Sequence, residues 1–355
     1  MAKRKLGFGI IGCGMISEFH INSIKELDEK AKIIGITDTV HDAAIRISER
    51  HGLDIFDSVE DMLADKKVDV VCICTPSGYH AETIIKASEA KKHIIVEKPM
   101  AITKEQLDEV EKYCAKNKTV LSVISQIRFA RDIKRAKRAI ESGEMGRIVT
   151  ADMYMKYNRS QEYYDSGAWR GTMRLDGGGA LMNQGIHGVD LLQYLAGPVK
   201  SVFAYSGTLS RKIEVEDTLS AVMEFESGAF GVIQATTSVY PGYPRRLEIN
   251  GDLGSLVIEE TVLTKMDIFG SKTTDLTHQS NVASGSSTAS SIATDYHTLQ
   301  ISDVIDAIRE KRKPFVDIIE GRKAVDIILA IYKSSREGRK VYIEELNDRP
   351  NKYFC

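Results

Sequence analysis

The sequence has no C-x-x-C pair, no long apolar run and no excess of charge of either sign. Its 355 residues include five cysteines, and no cysteine or histidine has the spacing of a zinc ligand. We therefore expect no metal site, and free buried thiols in a reducing cytoplasm. No window approaches the roughly 18 apolar residues of a membrane-spanning helix. The short apolar segment after the basic N-terminus soon meets glycines, so we do not expect a signal peptide.

The charge balance narrows the class of partner. Lys and Arg number 48 against 50 Asp and Glu, a formal net charge of -2. This balance argues against a nucleic acid or an anionic membrane as the main partner. A small molecule is the expected partner. There is no internal repeat, and the length favours two domains.

The first part of the chain alternates strand and helix signals. VDVVCICTP, at 68–76, is a continuous apolar run typical of a parallel strand covered on both faces. Four other strand segments alternate with helical segments before residue 126. Repeated βαβ units imply a doubly wound parallel sheet. We therefore predict a Rossmann-type doubly wound domain over residues 1–125.

The pattern changes near Gln126 to long alternating stretches with hairpin signals such as ESGAF and NGDLG. They predict an α+β domain over 126–355 with a large, open, mostly antiparallel sheet. The open face of that sheet needs a cover, and we expect a partner subunit there. A Ser/Thr/Ala-rich segment at 280–295 reads as a loop of unassigned role, and two helices close the chain.

A glycine-rich turn follows the first strand. Gly12, Gly14 and Ser17 occupy the places of G-x-G-x-x-G, with a small residue in the third. The pattern suits a tight turn, a close approach of the backbone to a pyrophosphate, and a helix packed on the strand. Met15 and Ile16 open the helix, whose N–H groups favour phosphate. A tight turn without a ligand is the alternative.

Asp38 ends the second strand, where a carboxylate can accept hydrogen bonds from both adenosine ribose hydroxyls. Thr39 follows it, and no arginine comes immediately after. Because the carboxylate would repel an extra phosphate, we expect NAD, with NADP the less favoured cofactor. Thr75 and Pro76 follow the third strand and are expected to line the cofactor crevice; a plain loop is the alternative.

Glu97, Lys98 and Pro99 follow an apolar strand in VEKPM. A lysine at the carboxyl edge of a parallel sheet points toward the crevice where such folds bind ligands. Proline fixes the local backbone and so the direction of the lysine. An exposed lysine at a strand end is the alternative reading.

A second constellation lies in DGGGALMNQGIHGVDLL. Asn183 and His187 are four residues apart, so they are expected to share a helix face. Asp190, three residues past His187, is placed to orient its ring or hold its charge. A satisfied core histidine is the plainer alternative.

The glycine turn, the EKP segment and GGGALMNQGIHGVDLLQYLAGPV together resemble the Gfo/Idh/MocA family of sugar and cyclitol dehydrogenases. The resemblance runs from Gly9 to the closing EGRKAVDIILAIYKSSREGR. It implies a Rossmann domain and a second domain whose sheet mediates dimers or tetramers. It also implies that Lys98 and His187 are the catalytic pair. Many members have aspartate where this chain has Asn183, which is similar to the branch oxidising C3 of UDP-N-acetylglucosaminuronic acid.

These features predict oxidation of a secondary hydroxyl of a sugar or nucleotide sugar by hydride transfer. His187 would be the general base and Lys98 would polarise the oxygen, with Glu97 and Lys98 also next to the cofactor. The alternatives are an inositol or free-hexose dehydrogenase of the same family, or a protein that senses NAD or sugar without catalysis. The further residues expected to contact substrate are Arg128, Arg159, Tyr163, Tyr164, Trp169, Arg170 and Asn183.

Overall fold

The computed structural model describes residues 4–271, 274–275 and 295–346. The Ser/Thr-rich segment predicted as a loop lies outside these residues. The described chain forms two compact units. The first unit comprises 4–126 and 295–322, and the second comprises 127–275 and 323–346. The division predicted at 125/126 had assigned 295–322 to the second part.

The first unit is built on a five-stranded parallel sheet in the order β2-β1-β3-β4-β5. This confirms the predicted doubly wound domain. Apolar strand residues such as Phe8, Ile10 and Val70 are fully buried in its core. The strands are β1 (Leu6–Ile11), β2 (Ala31–Thr37), β3 (Val70–Ile73), β4 (His93–Val96) and β5 (Leu121–Val123).

Helices cover the sheet of the first unit. The short helix at Val59–Ala64 was not predicted, because six residues capped by Ser58 give little periodic signal. A late helix also joins this core, since its Ile301, Val304 and Ile305 are buried in the same cluster as β1. The helices are α1 (Met15–Glu26), α2 (His41–His51), α3 (Val59–Ala64), α4 (His80–Glu89), α5 (Lys104–Asn117) and, beyond the second unit's elements, α9 (Asp295–Glu310).

The second unit contains a nine-stranded sheet in the order β13-β12-β11-β10-β6-β9-β8-β7-β14. Only β6 and β9 pair in parallel, and the other ladders are antiparallel. This confirms the predicted open, mostly antiparallel sheet, to which β12, β13 and β14 are additions. The strands are β6 (Ile148–Lys156), β7 (Val199–Gly207), β8 (Thr218–Phe225), β9 (Phe230–Thr236), β10 (Arg246–Gly251), β11 (Gly254–Glu259), β12 (Val262–Ile268), β13 (Thr274–Asp275) and β14 (Val341–Tyr342).

One face of this sheet is covered by a buried helix, α8 (Ile186–Ala196). At Gly188 a Cβ atom would lie 2.5 Å from the sulfur of Met153 on β6, so glycine permits the close approach of helix and sheet. A π-helical turn, Ala180–Gly185, leads directly into α8. The remaining helices are α6 (Arg131–Glu141), α7 (Gln161–Asp165) and α10 (Ile318–Glu337), of which α10 passes from the first unit into the second at residue 323.

Two composition-based expectations concern cysteines and membranes. Cys13, Cys72, Cys74 and Cys114 are free and buried, as predicted, and Cys355 lies outside the described residues. Within the described ranges, the helices are all too short or too polar to cross a membrane.

Candidate cofactor and substrate sites

The glycine turn uses its two glycines for different reasons. Gly12 has φ +96°, and a Cβ there would lie 2.8 Å from the Cys74 carbonyl carbon, so the fold itself requires glycine. At Gly14 a Cβ would meet nothing within 4 Å, so the space above this residue is open. Gly14 is the N-cap of α1, and no side chain caps this end of the helix. The turn therefore presents open helix N–H groups, which fit the pyrophosphate of a dinucleotide.

Asp38 lies beside this turn. Its Oδ2 accepts a hydrogen bond from the Cys13 N–H at 2.6 Å, and its Oδ1 accepts one from the Val40 N–H at 2.7 Å. Carboxylate oxygens can accept more than one hydrogen bond each, so this anchoring is compatible with ribose recognition. Met15 and Thr39 are exposed here, whereas the Ile16 side chain is partly buried against the core.

The loop after β3 carries an orphaned polar atom. The Thr75 hydroxyl is buried and has no hydrogen-bond partner among the described residues. Pro76 begins the short 3₁₀ turn Ser77–Tyr79 that follows. An unsatisfied buried hydroxyl is costly, and a ligand group can satisfy it. Thr75 therefore also fits the expected cofactor crevice.

His80 connects two loops of the first unit, which the sequence did not indicate. Its Nε2 lies 2.8 Å from the Thr75 carbonyl oxygen, and its Nδ1 lies 2.7 Å from that of Pro99. Burial lowers the pKa of His80. The ring thus lies between the loop after β3 and the loop after β4, where Lys98 is found, and in its neutral form it donates to one of the two carbonyls. Only the fold brings these two carbonyls to one ring, so no local signal could have found this role.

Lys98 follows β4 and is half-buried, and its peptide bond to Pro99 is cis. The side chain of Glu97 is buried; its Oε1 lies 2.9 Å from His20 Nε2 and 3.8 Å from His297 Nε2. Burial opposes ionisation of Glu97, but the two histidines outweigh it and hold the pKa of this carboxyl well below its usual range. The Glu97 carboxylate is therefore engaged by protein groups beneath Lys98. We expect its backbone, rather than its side chain, to contact the cofactor.

The side chains of His20, Glu97 and His297 form the one group of possible metal ligands in the described part of the chain. Ligand atoms of His20, Glu97 and His297 all lie within 4.8 Å of one another. They come from α1, the end of β4 and α9, so no sequence spacing pointed to them. The hydrogen-bond distance between His20 and Glu97 makes a charged pair a sufficient explanation. The absence of a metal stays a prediction.

In the second unit, Asn183 lies in the π-helical turn and His187 in α8; both are half-buried. The amide of Asn183 donates a hydrogen bond to buried Asp176, and its carbonyl oxygen accepts one from Gln184 Nε2 at 3.2 Å. The turn that leads into α8 is π-helical where the sequence predicted an α-helix, and the shared face of Asn183 and His187 stays a prediction.

Asp190 has a different partner from the one predicted. Its two oxygens accept hydrogen bonds from Arg128 Nε at 2.8 Å and Nη2 at 2.5 Å, and the guanidinium lies 4.7 Å from the Tyr194 ring centre. Arg128 is only 1% exposed. The charge of Asp190 is therefore compensated by Arg128 rather than by the predicted His187. For the same reason we do not include Arg128 among the residues proposed to contact substrate.

Four of the predicted substrate residues do come together, around the Tyr163 ring. The guanidinium carbons of Arg159 and Arg170 lie 5.5 Å and 4.3 Å from its centre, and Arg170 also stacks on Trp169 at 4.5 Å. Gln184, which the sequence analysis missed, bonds both Arg159 Nη2 and the Tyr163 hydroxyl, at 3.0 Å and 2.9 Å. We call Arg159, Tyr163, Trp169, Arg170 and Gln184 the arginine–aromatic cluster.

In the described residues, the Arg170 guanidinium donates a hydrogen bond to the Tyr163 hydroxyl at 2.6 Å and stacks on the Trp169 ring. Tyr164, in contrast, points into the fold: it is 7% exposed and its hydroxyl is 2.8 Å from that of Thr237. Burial raises the pKa of Tyr164 to about 12. Tyr164 is thus a packing residue, which corrects its assignment to the substrate wall.

Comparison with protein families gives two matches that cover most of the chain. A model described as an oxidoreductase family with an NAD-binding Rossmann fold matches residues 6–125. A model described as the GFO/IDH/MocA C-terminal domain matches residues 133–257.

Individual relatives agree with these matches. The WlbA dehydrogenase of Bordetella pertussis, solved in complex with NADH and UDP-GlcNAcA, is 35% identical, with a TM-score of 0.85 over 96% of this chain and 99% of that one. Myo-inositol 2-dehydrogenase of Thermotoga maritima is 26% identical over 95% of this chain and 98% of its own length. D-glucoside 3-dehydrogenase of Escherichia coli is 30% identical over 67% of this chain and 71% of its own.

Proposed function

Because this chain belongs to the Gfo/Idh/MocA family of NAD-binding oxidoreductases, we propose that its substrate is an anionic nucleotide sugar. The reaction is oxidation of a secondary hydroxyl, and the substrate class we propose is a UDP-N-acetylhexosaminuronate oxidised at C3. The likeness to WlbA, solved with NADH and UDP-GlcNAcA, supports this choice.

The arginine–aromatic cluster is the observation that carries the proposal. Guanidinium groups bind carboxylate and phosphate, often in bidentate fashion, and aromatic faces suit the C–H surfaces of sugars. Arg159 and Arg170 both stack on Tyr163, and Gln184 connects this ring to Asn183 in the adjoining π turn. An anionic sugar held there would have its ring next to Asn183.

The chemistry uses residues of both units. NAD, when bound, supplies the hydride acceptor. His187 accepts the hydroxyl proton at a ring nitrogen, a role that a neutral imidazole can perform. Lys98 donates a hydrogen bond to the same oxygen and stabilises its alkoxide character, while Asn183 binds a neighbouring hydroxyl. The support for these roles is the family resemblance together with the placement of each residue within its own unit.

Two other functions remain as alternatives. An inositol or free-hexose dehydrogenase would share the chemistry, and the myo-inositol relative supports that class. A protein that senses NAD or sugar would bind without turnover. An uncharged polyol offers no carboxylate or phosphate to Arg159 and Arg170. Sensing requires neither the Lys98 amine nor the His187 imidazole. We therefore rank both alternatives below the anionic sugar.

The decisive experiment is a substrate panel followed by the absorbance of reduced cofactor. We expect turnover with UDP-N-acetylhexosaminuronates and NAD, and much weaker turnover with neutral UDP-sugars, hexoses and inositols. Replacing Lys98 by Met should lower kcat by about 100-fold or more, because the developing alkoxide loses its donor. NADH affinity, measured by fluorescence titration, should stay roughly unchanged.

Lys116→Met is the matched control, since Lys116 is exposed on α5 of the same unit. It should retain wild-type turnover. Activity restricted to inositols or free hexoses would replace the proposed substrate. A fully active Lys98→Met protein would remove the lysine from the mechanism.

A further inference from the structure

Buried Glu216 and half-buried Tyr332 hold the backbone at the start of the π turn. Glu216 Oε2 accepts a hydrogen bond from the Gly179 N–H at 2.8 Å, and its Oε1 accepts one from the Leu181 N–H at 2.9 Å. The Tyr332 hydroxyl donates to Glu216 Oε1 at 2.7 Å and lies 3.3 Å from the donating Met182 N–H. The first N–H groups of a helical segment have no partner within it, so these oxygens supply the missing acceptors.

Glu216 and Tyr332 also explain why residues 178 and 179 are glycines. A Cβ at Gly178 would lie 2.3 Å from the Tyr332 hydroxyl oxygen. A Cβ at Gly179 would lie 1.8 Å from the carbonyl oxygen of Glu216. The glycines therefore allow Glu216 and Tyr332 to approach the backbone closely enough to bond it.

A wide π turn is a conformation that needs outside support. Such turns are rare and occur mostly as single turns, frequently at functional sites. Here the turn carries Asn183, and α8 with His187 continues from it without a break. A change from π to α hydrogen bonding would shift Asn183 relative to His187.

We propose that Glu216 and Tyr332 are positioning residues that fix this turn, and through it the direction of Asn183 and His187 toward the sugar. The proposal rests on the function proposed above, because that function places Asn183 and His187 against the sugar. Glu216 and Tyr332 themselves make no contact with substrate. Two residues that help to shape the active site would then lie in the loop before β8 and in α10, outside the segment that contains Asn183 and His187.

Tyr332→Phe is the main test, because it removes one oxygen and keeps the ring. We expect kcat to fall about tenfold, since the turn is populated less often in its active form. The Kd for NADH should not change, because the first unit binds it. Hydrogen exchange of the peptide spanning 176–185 should become faster.

Tyr157→Phe is the matched control. It removes another buried tyrosine hydroxyl of the second unit, which donates to Glu260 Oε1 at 2.9 Å, and leaves the ring beside Arg159. Tyr157→Phe should lower the melting temperature about as much as Tyr332→Phe does, but its kcat should stay within about twofold of wild type. Equal losses of kcat in both variants would mean that general destabilisation explains the effect, and would overturn the proposal.

A double-mutant cycle makes the test independent of folding defects. Gly178→Ala should lower kcat, since its Cβ displaces the Tyr332 hydroxyl. The combination with Tyr332→Phe should lose less than the product of the two single effects, because both act on one contact. Additive losses, or an unchanged kcat in Tyr332→Phe, would contradict the proposal. If the wild type oxidises no UDP-sugar, the proposed substrate fails; the cycle is then run on whichever sugar of the panel is oxidised.

Discussion

Asp38 shows how one side chain serves both the fold and the choice of cofactor. Its oxygens anchor the backbone at Cys13 and Val40, which fixes the negative charge at the edge of the glycine turn. Burial, with the nearby Asp38 charge adding to it, raises the pKa of the Cys13 thiol to about 12, so this thiol stays neutral beside the carboxylate. Asp38 is thus the fixed negative charge that a 2′-phosphate would meet.

Replacing Asp38 by Asn should relax the preference for NAD. The amide keeps one acceptor oxygen for the backbone and loses the charge that repels a 2′-phosphate. We expect the ratio of kcat/KM for NADP to that for NAD to rise about tenfold. Initial rates with both cofactors measure it. Asp28→Asn, at an exposed position between α1 and β2, should leave the ratio unchanged; the same unchanged ratio in Asp38→Asn would show that another group selects the cofactor.

Single residues were predictable where the motif is local. The reason for Gly12 follows from the tight turn alone, and the arginine–aromatic cluster comes mostly from one short segment. Arg128 and Asp190 were misassigned because their partners are set by packing between elements 62 positions apart. A sequence pattern gives the residue type available at a site, but it does not say which charge meets which.

At the scale of elements, periodicity predicted the strands and helices of the first unit better than the details of the second. The π turn was read as α-helix because both give similar apolar spacing over six residues. The placement of α9 with the first unit depends on burial of Ile301 and Val304, which any amphipathic helix would show. Local patterns specify an element's type more firmly than its partner.

The Arg128–Asp190 pair joins the 3₁₀ turn Gln126–Phe129 to α8, and breaking it should destabilise the second unit. Arg128→Met leaves the Asp190 carboxylate buried and without its partner, a loss of about 3–5 kcal/mol in the free energy of unfolding. Urea denaturation followed by Trp169 fluorescence measures it, because this is the only tryptophan in the sequence and lies in the second unit.

The double variant Arg128→Met, Asp190→Leu provides the control for this prediction. It removes both charges and should recover most of the lost stability, because no unpaired charge stays buried. A double variant as unstable as Arg128→Met would mean that the shape of the guanidinium, rather than its charge, holds the turn against α8.

At the scale of the whole molecule, the nine-stranded sheet has an open face, by which we mean the face that carries exposed apolar side chains in the described part of the second unit. Ala221 and Met223 of β8 are buried on one side, whereas Val222 between them is 55% exposed. Val222 pairs across the sheet with Phe203 on β7 and Val232 on β9, which places apolar side chains side by side on the open face. Contiguous exposed apolar surface of this kind marks an interaction site.

We expect a second copy of the chain to cover this face, giving a homodimer or a homotetramer. Val222→Lys places a charge within the apolar face and should shift the protein to a monomer in light scattering coupled to size exclusion, because burying an unpaired ammonium opposes association. Val40→Lys is the matched control: Val40 is 59% exposed, lies in the first unit and should leave the assembly unchanged. A monomeric wild type, or an assembly that survives Val222→Lys intact, would assign the open face to a different partner or to solvent.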